Sequence, residues 1–561
     1  MKNRKKLVYL MTAMFVLVIV VAELALMKQE RFSFTVEVTA EDGTEILKPW
    51  YYEKRNRYHV FLPGYADPNQ AKLVTNYQTD LWIQGAQVKK NTVCGMFPFG
   101  EMLDIRYDMR GETWEGEVVF HQSGNVPTLY IDTASGSMDY IHEEKGNTEP
   151  AEFRLYTPDG ELGSNVQIRT ISGRGNSTWS LPKKPYSLEL NQDEDLLGMG
   201  SAKKWILLAN YYDYSNIGNK MSFDFAAGAG CAYTPQCQWV DLYLNGSYAG
   251  LYVLSERNEV DPQRVDIPKE NSFLISTTLQ WRSENRSYSS FTSDRGTFMR
   301  IQHTGIPEQR VREIWNCVEN AIDAPDGVDP ISGKHWQDLI DMDSWAQQFL
   351  LWEVFSDFDA CTLSKFFYYD DDYGKVFAGP VWDMDNILNI QCWYTPNILA
   401  GMRKYIWNRE EVNLFYELYQ KEPFRQRVKE LYRQVYRPLL EELAENGMQT
   451  YLFQSLAAAK MNKVRWDSED PADAIQEWTQ YLKMRIAFLD DYWEAEEEYC
   501  IIELKCTDDD QWRYFGVRRG EPADFLPEDR QWVEYETGEP FDRTAPVTRD
   551  WIIQQAEDRE E

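Results

Sequence analysis

Residues 349–389 place acidic residues on both sides of a predicted β-hairpin, and this arrangement constrains the fold more than any other feature of the chain. Strand-like segments at 365–369 and 376–381 flank a turn at 370–374 that is rich in aspartate and contains glycine. Because a hairpin brings the two ends of its strands together, the acids before the first strand and after the second are expected to converge on one spot.

Two carboxylates in these positions suit phosphoryl transfer, in which one acid orients the attacking hydroxyl and takes its proton while another holds Mg²⁺. Asp359 is the candidate for the first role and Asp383 for the second, with Asp385 as a further metal ligand. The apolar sequence around Asp383 and Asp385 favours this function, because carboxylates in such surroundings are unfavourable unless they are paired or metal-bound. Solvated, turn-forming acids are the structural alternative.

The charge of the chain limits what it can bind. Its 561 residues are enough for several domains, and its net charge of −32 repels nucleic acids. The same charge repels ATP, so a nucleotide site in this chain must be locally basic or metal-loaded. Five histidines, and cysteines without CxxC spacing, argue against a zinc site.

Residues 1–30 are predicted to be an uncleaved membrane anchor. Four basic residues within the first six precede an apolar run at 7–27, which is long enough to span a bilayer. The basic flank places the N-terminus in the cytoplasm, so a single-pass protein of the cell membrane with an extracytoplasmic bulk is expected. A removed signal peptide is the alternative.

The remaining chain is predicted to be an α+β protein in three parts. Residues 31–122 alternate apolar and polar residues between turns and are expected to form an all-β, sandwich-like domain. Residues 123–495 pass from mixed α and β patterns to helical ones and are expected to hold the catalytic site. Residues 496–561 return to β patterns and are expected to form a small β module.

A glycine turn, a lysine and a glutamate are the candidate nucleotide contacts. Period-two alternation puts Lys184 on the apolar face of a strand, where it either extends to solvent at the strand's edge or reaches a cleft to meet phosphate. Glu256 leaves another apolar strand, either as a structural ion-pair partner or as part of the nucleotide pocket. The turn, whose backbone N–H groups suit a phosphate, consists of Arg174, Gly175, Asn176 and Ser177.

Several motifs, in order, resemble those of the CotH-type spore-coat protein kinases: GRGNSTW, PKKPYSLEL, WILLANYYDYSNIGNK, VDLYLNGSYAGLYVLSE, SKFFYY and GPVWDMDN. The resemblance covers about residues 125–495. It implies an atypical, two-lobe protein-kinase-like fold with a helical C-terminal lobe. It also implies transfer of the γ-phosphate of ATP to protein serines with Mg²⁺, or with Mn²⁺ in its place. By position, Asp359 matches the family's catalytic-loop aspartate and Asp383 its metal-binding aspartate, and Lys184 and Glu256 fall within its motifs.

Two positions depart from the kinase pattern. Ser364 stands where asparagine would offer a second metal ligand, and Gly218 stands where arginine is expected. The resemblance therefore also leaves room for a weak or inactive kinase-like domain.

The C-terminal segment separately resembles the Listeria-Bacteroides type repeat of bacterial surface proteins through its GEPFDRTAPVTRD sequence. A cell-surface adhesion or scaffold protein is accordingly the alternative function. The expected partner is a protein with acceptor serines under the first hypothesis and an envelope protein under the second. A glycoside hydrolase using the same two acids is a third hypothesis, but it leaves the glycine turn and Lys184 unexplained.

Overall fold

The computed structural model describes residues 34–75, 80–89, 92–109, 112–278, 288–357, 363–388, 395–405, 412–506 and 512–556. The chain forms two compact units. The first contains the described residues up to Ser123 with the short segments 159–162 and 246–248, and the second contains the rest. The domain bounds given above stay predictions.

The predicted membrane anchor at residues 1–30 lies outside the described residues. Within the described ranges, no helix is both long enough and apolar enough to cross a membrane.

The first unit contains two β-sheets, with strand orders β2-β1-β5 and β3-β4-β9-β8-β6-β7. The alternation seen in the sequence has its structural counterpart in the first strand, where Phe34, Val36 and Val38 are buried. The strands are β1 (Phe34–Ala40), β2 (Gly43–Leu47), β3 (Trp50–Tyr52), β4 (Arg57–Leu62), β5 (Lys72–Thr75), β6 (Asp80–Ile83), β7 (Ala86–Gln87), β8 (Leu103–Met109) and β9 (Glu112–Gln122).

The second unit begins with a closed β-barrel in the order β10-β11-β12-β13-β14-β16-β15. Its interior is apolar, with Leu188 and Trp205 among the buried residues. Closure of the barrel leaves these strands without a free sheet edge. The elements are β10 (Thr128–Thr133), α1 (Asp139–Glu143), β11 (Thr148–Tyr156), β12 (Leu162–Gly173), β13 (Tyr186–Asp195), β14 (Ser201–Leu208), α2 (Gly218–Gly228), β15 (Cys237–Leu244) and β16 (Ser247–Glu256).

A five-stranded sheet follows, in the order β18-β19-β17-β20-β21. It contains the hairpin predicted from the sequence, in which Tyr369 pairs with Val376. Asp383 and Asp385 follow this hairpin directly. The strands are β17 (Phe273–Thr277), β18 (Ser290–Thr292), β19 (Phe298–Thr304), β20 (Phe366–Asp370) and β21 (Lys375–Ala378).

The longest elements of the second unit beyond the barrel are helices, and their apolar faces share one large core. Ten of the thirteen residues of the helix before the hairpin are buried, so this helix lies within that core. The helices are α3 (Glu308–Asp323), α4 (Trp336–Leu339), α5 (Met342–Val354), α6 (Leu414–Tyr419), α7 (Glu422–Leu431), α8 (Arg437–Glu442), α9 (Met448–Trp466) and α10 (Pro471–Glu494).

A buried ion pair joins α5 to α10. The Nη2 atom of Arg485 lies 2.7 Å from Oε1 of Glu353, and both side chains are inaccessible to solvent. Arg485 Nη1 also donates to the carbonyl oxygens of Pro396 and Ile398, at 2.5 and 2.6 Å. Glu353 Oε2 accepts a hydrogen bond from the backbone N–H of Gly401 at 2.6 Å. This cluster therefore holds the segment around residues 396–401 against the two helices.

The C-terminal part of the second unit is a sheet in the order β23-β22-β26-β24-β25, with an apolar cluster of its own. With this sheet, the described structure is a mixed α+β protein that contains several sheets and one barrel, which confirms the predicted fold class at that level. The strands are β22 (Tyr499–Lys505), β23 (Trp512–Arg518), β24 (Trp532–Glu534), β25 (Pro540–Phe541) and β26 (Trp551–Gln555).

Candidate active site

Asp383 and Asp385 line one cleft, which we call the acidic cleft. They are joined there by Arg174 from the connection after β12, Asn210 from the chain after β14, and Asn219 from the first turn of α2. Both carboxylates are half-buried, so they are accessible from the cleft. Three segments that lie far from the two acids in the sequence thus meet around them. Asp359, the predicted catalytic acid, lies outside the described residues.

The backbone at Asp383 has a conformation that few residues adopt. Its φ angle is +62°, in the left-handed region, which aspartate tolerates better than most residues other than glycine. Such conformations persist only where the surrounding structure holds them, and they concentrate at functional sites. Here the chain turns sharply between Trp382, which contacts Arg174, and Met384, which is fully buried.

Arg174 provides a cation next to the two acids. Its guanidinium lies over the ring of Trp382, 5.2 Å from the ring centroid. Burial lowers the pKa of Arg174 to about 10, with Asp383 and Asp385 acting in the opposite direction, so the side chain stays cationic at neutral pH. Its Nη1 atom is buried and has no hydrogen-bond partner among the described residues. A buried charged donor in this state is strongly unfavourable, and an anionic ligand would relieve it.

A second depression, the basic groove, shares Arg174 and Trp382 with the acidic cleft. In a chain with a net charge of −32, a local cluster of cations meets the condition that the sequence sets for a nucleotide site. The groove is lined by the cations Lys145, Arg174, Arg257 and Arg300 and by the apolar side chains of Ile206, Phe366 and Trp382.

The predicted glycine turn lines both the acidic cleft and the basic groove. Arg174 and Gly175 line both depressions and Asn176 lines the basic groove, whereas Ser177 is exposed and begins a 3₁₀ turn, Ser177–Ser180. Gly175 has a φ of +81°, and a Cβ atom there would lie 2.1 Å from Oγ1 of Thr178. Only glycine therefore fits this position of the turn without a shift of its neighbours.

Lys184 lies outside the linings of both depressions. Its ammonium donates to the carbonyl oxygens of Trp179 and Leu181, at 2.8 and 3.4 Å, and lies over the Trp179 ring. Strand β13 begins at Tyr186, so the alternation used to place Lys184 does not extend to it. In this structure Lys184 therefore fixes the 3₁₀ turn.

Lys183 is the buried lysine of this segment, with 1% of its surface exposed. It donates to the carbonyl oxygen of Leu251 at 2.6 Å and lies over the ring of Tyr252. Burial lowers the pKa of Lys183 to about 7, an effect partly opposed by Asp213.

Glu256 forms a buried ion pair with Arg264 at the end of β16, with Oε1 and Nη1 2.5 Å apart. Its Oε2 accepts a hydrogen bond from the backbone N–H of Gln236 at 2.9 Å. Burial raises the pKa of Glu256 to about 7 in spite of the nearby arginine. Glu256 lines neither depression, and its place in the nucleotide pocket stays a prediction.

The donor set of the acidic cleft fits Mg²⁺ better than it fits a metal held by the protein alone. Within the part of the chain that the structure describes, no group of three or more His, Cys, Asp or Glu residues is placed to hold a metal. Asp383 and Asp385 offer carboxylate oxygens, which Mg²⁺ prefers, and Mg²⁺ is commonly held by one or two carboxylates together with substrate phosphates and water. The two acids would thus hold the metal jointly with a phosphorylated ligand.

Asn210 and Asn219 of the acidic cleft were not predicted from the sequence. The Nδ2 atom of Asn219 donates to Oδ1 of Asp385 at 2.6 Å and to Oδ1 of Asn210 at 3.0 Å. Both lie in the WILLANYYDYSNIGNK motif, directly after a buried strand and in the first turn of a helix. That placement of amide side chains is the signal that was available.

Ser364 and Gly218, the two residues that depart from the kinase pattern, both lie next to the candidate site. Ser364 has a φ of +57° and lines the basic groove. The N–H of Gly218 donates to Oδ2 of Asp213 at 2.7 Å, and a Cβ at Gly218 would lie 3.0 Å from that oxygen and 3.2 Å from Trp478. The space that an arginine at position 218 would need is therefore filled in this chain.

Residues 171–495 match the family model described as CotH kinase protein, which spans more than half of the chain. The chain belongs to the CotH kinase family. The matched region includes Arg174, α2, the β20–β21 hairpin and both acids of the cleft. A search of curated proteins found no match to this chain.

Proposed function

We propose that this CotH kinase family member transfers the γ-phosphate of ATP to serines of a protein acceptor, with Mg²⁺ or Mn²⁺. The observation that carries the proposal is that Arg174 and Trp382 line both the acidic cleft and the basic groove. A metal–polyphosphate needs both charges, because cations hold its phosphate oxygens while carboxylates hold its metal.

The two depressions suggest how the nucleotide is held. Ile206, Phe366 and Trp382 give the basic groove apolar surface for the base, and the guanidinium of Arg174 lies where the groove meets the cleft. The buried and unpartnered Nη1 of Arg174 is the donor that a phosphate oxygen would satisfy. Arg257 and Arg300 add positive charge along the same groove. A base and phosphates divided in this way would orient the γ-phosphate towards the acids.

Asp383 and Asp385 would hold the metal, which when bound would neutralise charge on the phosphates. The left-handed turn at Asp383 sets the direction in which its side chain leaves the backbone. Asp359, which precedes the hairpin, is proposed by its position to orient the acceptor hydroxyl and take its proton. Catalysis would then rest on positioning and charge neutralisation, without a covalent enzyme intermediate.

The location of this activity is a separate proposal. The basic residues and apolar run within residues 1–30 support an anchor with the kinase domain on the outer side of the cell membrane. Protease treatment of intact cells is expected to degrade the region after residue 31. Full protection of the chain in intact cells, with degradation after lysis, would contradict this placement.

Nucleotide binding by the full chain tests the proposed function. We expect ATP with Mg²⁺ to raise the melting temperature, since a ligand at about 100 times its Kd stabilises by about 2.7 kcal/mol. Asp383→Ala should lose this shift, whereas Asp372→Ala, in the exposed turn of the same hairpin, should keep it. Phosphoserine formed on a mixed pool of envelope proteins would then identify acceptors.

The same experiment distinguishes the alternative. If neither the unaltered chain nor Asp372→Ala responds to millimolar ATP with Mg²⁺ or Mn²⁺, the kinase proposal is wrong. An adhesion or scaffold role for the domain would then be the better hypothesis.

A further inference from the structure

The Asn219 side chain is a buried link between two walls of the acidic cleft. It is the second residue of α2 and is 3% exposed. Its amide nitrogen donates to one oxygen of Asp385, at 2.6 Å, and to the side-chain oxygen of Asn210, at 3.0 Å. One nitrogen thus joins the chain after β14 to the acid that follows the hairpin.

The first turn of α2 is itself held by several contacts. Asp213, the acid of the preceding loop, accepts hydrogen bonds from the backbone N–H groups of Asn216 and Gly218. The carbonyl oxygen of Asn216 accepts from the indole N–H of Trp239 at 2.8 Å, and its side-chain oxygen accepts from Asn462 at 3.1 Å. The helix that carries Asn219 is therefore fixed to the barrel and to α9.

We propose that Asn219 is a positioning residue of the metal site, a role that rests on the proposed function. A fixed N–H donor holds the carboxylate of Asp385 in one orientation, and it draws the oxygen of Asn210 towards the same nitrogen. Groups that hydrogen-bond to metal ligands orient those ligands, and their loss typically weakens metal binding 10- to 100-fold. An aspartate at position 219 would lack the donor and would add a second negative charge against Asp385, which explains why an amide serves here.

The test measures Mn²⁺ binding to the full chain by electron paramagnetic resonance, with MnCl₂ alone and with a non-hydrolysable ATP analogue. We expect Asn219→Ala to weaken Mn²⁺ binding about 10-fold. The Mg²⁺ concentration for half-maximal activity should rise by a similar factor, with kcat largely restored at saturating Mg²⁺. Asn462→Ala is the matched control, because it removes a buried amide that anchors the same helix without contact to Asp385.

The possible outcomes are separable. If Asn219→Ala and Asn462→Ala both lower the melting temperature but only the first weakens Mn²⁺ binding, the positioning role is supported. Mn²⁺ binding by Asn219→Ala within twofold of the unaltered chain, with binding lost in Asp385→Ala, would overturn this inference alone. Unchanged binding in Asp385→Ala would overturn the metal site itself, and the proposed function with it.

Discussion

Glu256 ends the apolar strand β16 and Asp383 lies in the chain after β21, yet the structure surrounds the two acids differently. Glu256 is 4% exposed, and its two oxygens are taken by Arg264 and by the backbone N–H of Gln236. Asp383 is half-buried and faces a cleft that it shares with Asp385. An acid that its own chain closes off stabilises the fold, whereas an acid that faces a cavity remains available to a ligand. Glu256 is therefore a closed site and Asp383 an open site, and mutations at the two positions test this difference.

The largest effect is expected at the open site. Asp383→Asn keeps the size of the side chain but removes the charge that would hold the metal, so phosphotransfer should fall about 10³-fold. The melting temperature without nucleotide should change little, because the carboxylate is half-buried. Initial rates and thermal unfolding of the same preparation check both statements. Loss of stability in proportion to activity would show that Asp383 is a structural residue like Glu256.

The buried Lys183 should make the free energy of unfolding depend on pH. Its pKa is about 7 in the folded chain and about 10.5 when unfolded, so the unfolded chain binds more protons between these values. The stabilising contribution of Lys183 is therefore present above pH 10.5 and is lost as the pH falls through 7. Relative to Lys183→Met, the unaltered chain should gain about 2.5 kcal/mol of unfolding free energy from pH 7.5 to 9.5.

Urea unfolding of both proteins at the two pH values measures this difference. Arg55→Met, on the surface of the first unit, is a control in which the difference should not depend on pH. If the difference in unfolding free energy between Lys183→Met and the unaltered chain is the same at both pH values, Lys183 is not shielded from water.

The closed acid should affect stability more than activity. Glu256→Gln leaves Arg264 buried with its charge only partly compensated by the carbonyl oxygen of Met199, so the free energy of unfolding should fall by about 2 kcal/mol. Replacing both partners by methionine should recover part of this loss, because neither charge is then left buried. Chemical unfolding gives the stabilities, and kcat for the folded fraction should stay unchanged. A rise in the KM for ATP would instead place Glu256 in the nucleotide pocket.

The smallest effect is expected at Lys184. Its ammonium donates to backbone carbonyls of its own turn at a partly exposed position. Lys184→Met should therefore lower the free energy of unfolding by less than about 1 kcal/mol and leave the KM for ATP unchanged. The corresponding change at Arg174, Arg174→Met, is the comparison that should raise the KM. A tenfold higher KM for ATP in Lys184→Met would instead support the phosphate contact that the sequence predicts for Lys184.

The parts of the fold that follow local patterns were predictable. Alternation predicted strands in the first unit, such as β1, and the aspartate-rich turn predicted the β20–β21 hairpin. The pairing of Asp383 with Asp385 in one cleft follows from that hairpin and from two residues of spacing. The closed barrel did not follow, because parallel pairing of β10 with β15 joins segments more than 100 residues apart.

The environment of single side chains was the least predictable part of the site. Nothing local distinguishes Lys183 from Lys184, since their exposure depends on Leu251 and Trp179, which lie on different elements. Likewise, Glu256 is closed by Arg264 from the following loop, a contact that depends on how that loop returns to the barrel. Asn219 reaches Asp385 across 166 positions of sequence, a distance that no short motif encodes.

The Arg485 cluster has a consequence for how the protein is made. Glu353 and Arg485 are 132 positions apart, and the acids of the cleft lie between them. At roughly 5 to 20 residues per second, a ribosome needs roughly 7 to 26 s to synthesise that interval. During this time the carboxylate of Glu353 has no Arg485 to pair with, so we expect α5 to reach its final packing only after α10 has been made. The nascent cleft is thus completed from its C-terminal side, and a ribosome stalled before residue 485 would hold a barrel without a finished site.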